Sequence, residues 1–144
     1  QVAAHCLHEG LIDEGTAVLK ALRARYDGSR RNPYNEVECG DHYARAMAGW
    51  GVLDAMTGAT YDAWSERLRL GRSIDRYPLL AGTGWGVVAA GDRLVSFQCL
   101  GGSVAVSELT VHGADIAEVW LDGSVVNDRV IVPDGSEIVA VLGT

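Results

Sequence analysis

The chain has 144 residues, twelve of them basic and nineteen acidic, for a net charge of -7, and 48% are apolar. That length suits one ordinary core, and the acidic excess argues against a nucleic-acid backbone or an anionic membrane surface as partner, leaving neutral or cationic ligands. Uncharged stretches are short and broken by Gly and Ser, far below the roughly 20 apolar residues of a membrane span, so no transmembrane segment is expected.

Residues 3–26 place Leu7, Leu11, Val18, Leu22 and Tyr26 at steps of four or seven, the spacing of one helix face. Gly10 and Gly15 interrupt this run, and a break near Gly10 into two shorter helices is expected because each interior glycine costs about 1 kcal/mol relative to alanine. A second helix is expected over residues 41–56, with Tyr43, Met47, Trp50 and Leu53 or Asp54 on one side, alanines elsewhere, and Gly58 as its stop. Small and apolar around most of its circumference, it reads as an inner helix. Residues 61–71 are more charged and suggest one helical turn, and residues 73–80 read as a connection ending at Pro78.

After Gly84 the pattern becomes β. Short Val-rich runs at 85–89, 94–100, 104–111, 116–121, 125–132 and 138–142 are separated by Gly91-Asp92, Gly101-Gly102, Gly113-Ala114, Asp122-Gly123 and Asp134-Gly135. Glycine-containing turns about every ten residues predict an antiparallel meander or a small sandwich. Phe97 and Trp120 sit inside apolar runs and are expected to be core.

The densest chemistry lies at residues 32–45, Asn-Pro-Tyr-Asn-Glu-Val-Glu-Cys-Gly-Asp-His-Tyr-Ala-Arg, which gathers three carboxylates, an imidazole, a guanidinium and two aromatics. Pro33 and Gly40 make most of it a loop, and Asp41 is placed to cap the following helix. A carboxylate with two acceptor oxygens and a guanidinium with a planar donor fork each suit a pair of adjacent sugar hydroxyls. Glu36 and Arg45 fit that description, with Tyr34, Asn35 and His42 as further candidates. The bland alternatives are that Glu36 and Arg45 pair only with each other, that Asp41 is only a cap, and that His42 is a satisfied core histidine.

The run of residues 30–48, from Arg30-Arg31-Asn32-Pro33 through Asp41-His42-Tyr43-Ala44-Arg45 to Ala48, strongly resembles a signature near the C-terminal end of glycoside hydrolase family 116, the bacterial β-glucosidases and non-lysosomal glucosylceramidases. Tyr34 stands where that family usually has Trp or Phe, and Val37 where it has Ile. Arg25-Tyr26-Asp27-Gly28 and Gly84-Trp85-Gly86 also look like family elements, so the resemblance spans residues 5–110.

The resemblance implies an α+β segment: residues 1–81 as the C-terminal helices of an (α/α)6 barrel catalytic domain, and residues 82–144 as a short-stranded antiparallel β region. It further implies a retaining β-glycosidase in which Glu36 and Arg45 bind glycone hydroxyls. The family's glutamate nucleophile and aspartate acid/base come from segments upstream, and no residue here matches them, so no catalytic residue is nominated. Beginning Gln-Val-Ala-Ala, the chain is expected to be part of a longer polypeptide. Its expected partners are a glycoside substrate and the remainder of the catalytic domain, on the same or another chain. The alternative is a non-catalytic carbohydrate-binding or structural interface subunit.

No cofactor or metal is expected. His5, Cys6 and His8 lack an established zinc spacing, and Gly82-Thr83-Gly84-Trp85-Gly86 precedes a strand instead of opening a helix, which makes it a turn and not a phosphate loop. Cys39 near His42 lacks a third orienting group for nucleophilic chemistry. Cys6, Cys39 and Cys99, odd in number and far apart, suit free thiols in a reducing, cytoplasmic compartment.

Overall fold

The structure, a computed structural model, describes residues 1–25 and 46–143, with residues 46–48 described by backbone alone. The chain separates into two compact units, Gln1–Met56 and Thr57–Thr144.

In the first unit, α1 (Val2–His8) and α2 (Ile12–Ala24) are divided at Gly10, as the glycine spacing predicts. Gly10 adopts φ +77°, a left-handed conformation that glycine takes without a Cβ clash. Glu9, Gly10 and Leu11 then donate their N–H groups back to His5, Leu7 and Cys6, satisfying the last carbonyls of α1. Gly15 is not an interruption. It is buried inside α2, where a Cβ would lie 2.8 Å from Leu7 Cγ and 3.0 Å from the Ala3 carbonyl oxygen, so its missing side chain is what lets the two helices approach.

The third helix, α3, spans Ala46–Thr57 and stops at Gly58, whose φ is +66°. Its expected role as an inner helix is not what the described residues show. Trp50 is 48% and Met56 40% exposed, so its apolar circumference is left partly uncovered.

The second unit is a β-structure. Among the described residues, ten strands follow: β1 (Thr60–Asp62), β2 (Arg67–Leu70), β3 (Arg76–Leu80), β4 (Gly84–Ala90), β5 (Leu94–Val106), β6 (Glu108–Val111), β7 (Ile116–Leu121), β8 (Ser124–Val125), β9 (Val130–Pro133) and β10 (Glu137–Leu142). One sheet has the order β1-β2-β6, with β2 and β6 parallel. The larger runs β3-β4-β5-β10-β7-β8, all antiparallel, and β9 pairs with the second half of β5. Strict alternation explains the facing. In Arg67-Leu68-Arg69-Leu70 the leucines are fully buried and the arginines exposed, and Val95, Phe97 and Cys99 point inward along β5. Leu68 and Leu70 of the small sheet join Tyr77, Val88, Phe97 and Ile138 of the large one in a single core.

These observations overturn the (α/α)6 barrel assignment. The described residues contain three short helices of 7, 13 and 12 residues, and strand, nearly all of it paired antiparallel, outweighs helix. Residues 61–71 are not a helical turn but a hairpin, because Arg-Leu-Arg-Leu has a period of two and Asp62 accepts the Trp64 N–H and the Ser65 hydroxyl to turn the chain. Residues 73–80 contain an edge strand. Pro78 is tolerated in β3 because an edge strand does not need every N–H.

Three further boundaries moved. The run at 104–111 breaks at Ser107, its first residues ending β5 and its last forming β6. Gly101-Gly102 does not separate strands but lies within β5, where Gly102 adopts φ +75° and a Cβ on it would come 2.3 Å from the Thr83 carbonyl oxygen. The run at 125–132 splits into β8 and β9. None of the described helices is long and apolar enough to cross a membrane.

Candidate functional site

The sequence-predicted sugar clamp lies outside the described residues. Tyr34, Asn35, Glu36, His42 and Arg45, with Glu38, Cys39 and Asp41, all fall within 26–45. What the structure does describe is the geometry of the β unit, which carries two concavities that sequence reasoning missed.

The first is a cleft of about 300 Å³ between β6, β7 and the segment joining β8 to β9. Val106, Val130 and Ile138 form its apolar floor, and Ser107, Glu118, Asn127 and Asp128 supply its polar edge. A three-segment clasp adjoins it. Glu66, in the β1–β2 turn at φ +53°, receives Arg129 through two hydrogen bonds, Nε to Oε2 at 2.5 Å and Nη2 to Oε1 at 2.6 Å. The Ser107 hydroxyl donates to the same carboxylate at 2.6 Å, and the Ser107 N–H donates to the Glu66 carbonyl at 2.8 Å. Arg129 first, then Ser107, hold the Glu66 carboxyl at about 2, against an ordinary 4.5. Since Ser107 and residues 126–128 also border the cleft, the clasp fixes two of its walls. A non-glycine residue at positive φ is strained, and here hydrogen bonds from Arg129 and Ser107 hold it in place.

The second concavity, about 290 Å³, opens where β3, β4 and β5 meet and is lined by Leu80, Gly82, Thr83, Gly84, Trp85, Gly101 and Gly102. Its turn is tight. Gly82 adopts φ +72°, the Ala81 N–H donates to the Gly84 carbonyl at 2.9 Å, and the Ser103 N–H donates to the Thr83 carbonyl at 3.2 Å. Leu80, Trp85 and Gly101 are cross-strand partners in register. The Trp85 ring lies against Gly101, where a Cβ would stand 2.4 Å from the indole nitrogen, and yet Trp85 remains 50% exposed.

Of the aromatics expected in the core, Phe97 is fully buried. Trp120 is only partly buried, and its indole N–H donates to Glu118 at 3.0 Å. Trp64, at the tip of the β1–β2 hairpin, is 97% exposed. Among the described residues no group of three or more His, Cys, Asp and Glu side chains could hold a metal ion, and Cys6 and Cys99 are free thiols.

No family model matches the sequence, and no curated protein matches it. Among solved structures, the chain is similar to a GH127 β-L-arabinofuranosidase from Geobacillus stearothermophilus T6, at 16% identity and a TM-score of 0.40, over 73% of this chain and 19% of that one. The chain thus spans about a fifth of that enzyme's length, and a likeness this distant carries no argument about fold or activity.

Proposed function

We propose that the chain serves a retaining β-glycosidase of the family 116 type, in which Glu36 and Arg45 grip glycone hydroxyls and Tyr34, Asn35 and His42 complete the contact. The run of residues 30–48 carries this reading, since it strongly resembles a long family signature and contains the acceptor and donor groups that vicinal hydroxyls need. The catalytic pair is supplied by the remainder of the catalytic domain, on the same or another chain. Retention requires two carboxyl groups about 5 to 5.5 Å apart, with the acid's pKa raised by its surroundings.

A charged contact that tightens as the ring flattens contributes more to the transition state than to the ground state. Replacing Glu36 by Gln keeps the shape and removes the charge, at a cost on the order of 2 to 4 kcal/mol by analogy with other preorganised contacts. In the full polypeptide assayed with aryl β-glucosides, Glu36→Gln is expected to lower kcat/KM at least tenfold. Near-normal kinetics would remove Glu36 from the site. A polypeptide that binds glucosides without hydrolysing them would favour a non-catalytic carbohydrate-binding role instead.

A further inference from the structure

We propose that the depression beside Trp85 is a second carbohydrate contact, a stacking platform for one neutral pyranose ring, formed without any of the glycone residues named above. Three observations converge on it. The indole is braced from beneath by Gly101, whose missing Cβ leaves room for the ring. A ligand therefore meets an aromatic surface already held in one orientation and orders little on binding. The same ring is half exposed, and Leu80, its partner across β3 and β4, is 57% exposed, so an apolar face is offered to solvent at the mouth of a concavity.

The chemistry of the lining selects the ligand. Leu80, Thr83, Trp85 and four glycines contain no charged side chain, in a protein with 31 charged residues, which disfavours phosphates, carboxylates and amines alike. A neutral ring with one C–H face for the indole and hydroxyls at its rim for the Thr83 hydroxyl and nearby backbone groups matches both halves of that surface. At about 290 Å³ the depression stands at the lower end of small-molecule sites, room for a single sugar unit. Gly82 and Gly102, both at positive φ, keep the approach free of side chains.

The test uses the full polypeptide, wild type and Glu36→Gln, with sulfur-linked cellotetraose, which a β-glucosidase does not cleave, as probe and saturation-transfer NMR as readout; the Trp85 and Trp64 substitutions are made in Glu36→Gln, where the glycone clamp is weakened. Transfer to the axial sugar protons is expected in both proteins, because the platform is independent of Glu36. Trp85→Ala should weaken binding about tenfold, Trp85→Tyr should restore most of it, and Trp64→Ala should leave it unchanged. Where Trp85→Ala does not fold, oxidation of wild-type tryptophans by N-bromosuccinimide decides alone: cellotetraose should protect Trp85 and leave Trp64 reactive. Absence of transfer in Glu36→Gln, undiminished binding in folded Trp85→Ala, or a Trp85 that resists oxidation without sugar would each overturn the proposal, the last by showing that protein covers the platform.

Discussion

Tyr77→Phe deletes one oxygen atom and should be among the costlier conservative changes in this protein. Tyr77 is buried in β3, and its hydroxyl closes a two-way bridge, accepting the Gly71 N–H at 2.8 Å and donating to the Gly71 carbonyl at 3.1 Å. Gly71 is itself buried, and no substitute side chain fits there, since a Cβ would fall 1.4 Å from the Thr57 carbonyl oxygen. Burial pushes the Tyr77 phenol above its ordinary pKa, so it remains a neutral donor and acceptor. Phenylalanine would leave one buried donor and one buried acceptor without a partner. At about 1 to 3 kcal/mol per unsatisfied group, less the relief of no longer desolvating the hydroxyl, the net loss is about 2 to 4 kcal/mol. Urea denaturation followed by tryptophan fluorescence measures it, and a midpoint shift of roughly 1 to 2 M is expected with the slope unchanged. Tyr61→Phe is the internal comparison. Its hydroxyl donates once, to the partly buried Ala105 carbonyl at 2.8 Å, so about 0.5 to 1.5 kcal/mol is expected. If both variants lose the same small amount, the bridge to Gly71 does not stabilise the unit.

The Glu66 clasp should appear in the acid limb of stability. A carboxyl held at about 2 in the folded protein contributes fully above its ordinary 4.5, and that contribution is lost as pH falls toward about 2. Melting curves of wild type and Glu66→Gln should therefore separate above pH 4.5 and converge near pH 2, whereas a constant separation over that window would contradict the assignment. Two glycines should respond in opposite senses to alanine: Gly49→Ala, with no described residue within 4 Å, should stabilise α3 by about 1 kcal/mol. Gly15→Ala should instead reduce helical circular dichroism, because Leu7 and the Ala3 carbonyl must move to admit a methyl.

Legibility in the sequence followed the strength of local periodicity. The split at Gly10 and the strands after Gly84 were readable because their signals lie within a few residues. The Arg67-Leu68-Arg69-Leu70 alternation was equally visible but was overridden by the charge of its surroundings, and it marked β2. Other features depend on residues far apart in the chain and leave no local trace. Glu66 meets Arg129 across 63 positions, and Gly15 and Gly102 are explained only by what approaches them. The two concavities are of this kind, because their walls come from separate strands. The expected clamp at Glu36 and Arg45 rests on a motif and on side-chain chemistry alone, and both residues lie outside the described residues.

The position of β10 has a consequence for how the sheet assembles. It is the last strand in sequence, yet it lies between β5 and β7, registering Ile138 against Phe97 on one side and Leu121 on the other. Until it is made, β4–β5 and β7–β8 are two ribbons with raw edges and no shared ladder. During synthesis the growing sheet therefore waits for its middle piece, and such long-range zipping belongs to the slow, millisecond-to-second class of folding reactions. A chaperone that shields the waiting edges of β5 and β7 would act at the stage when misassociation is most costly.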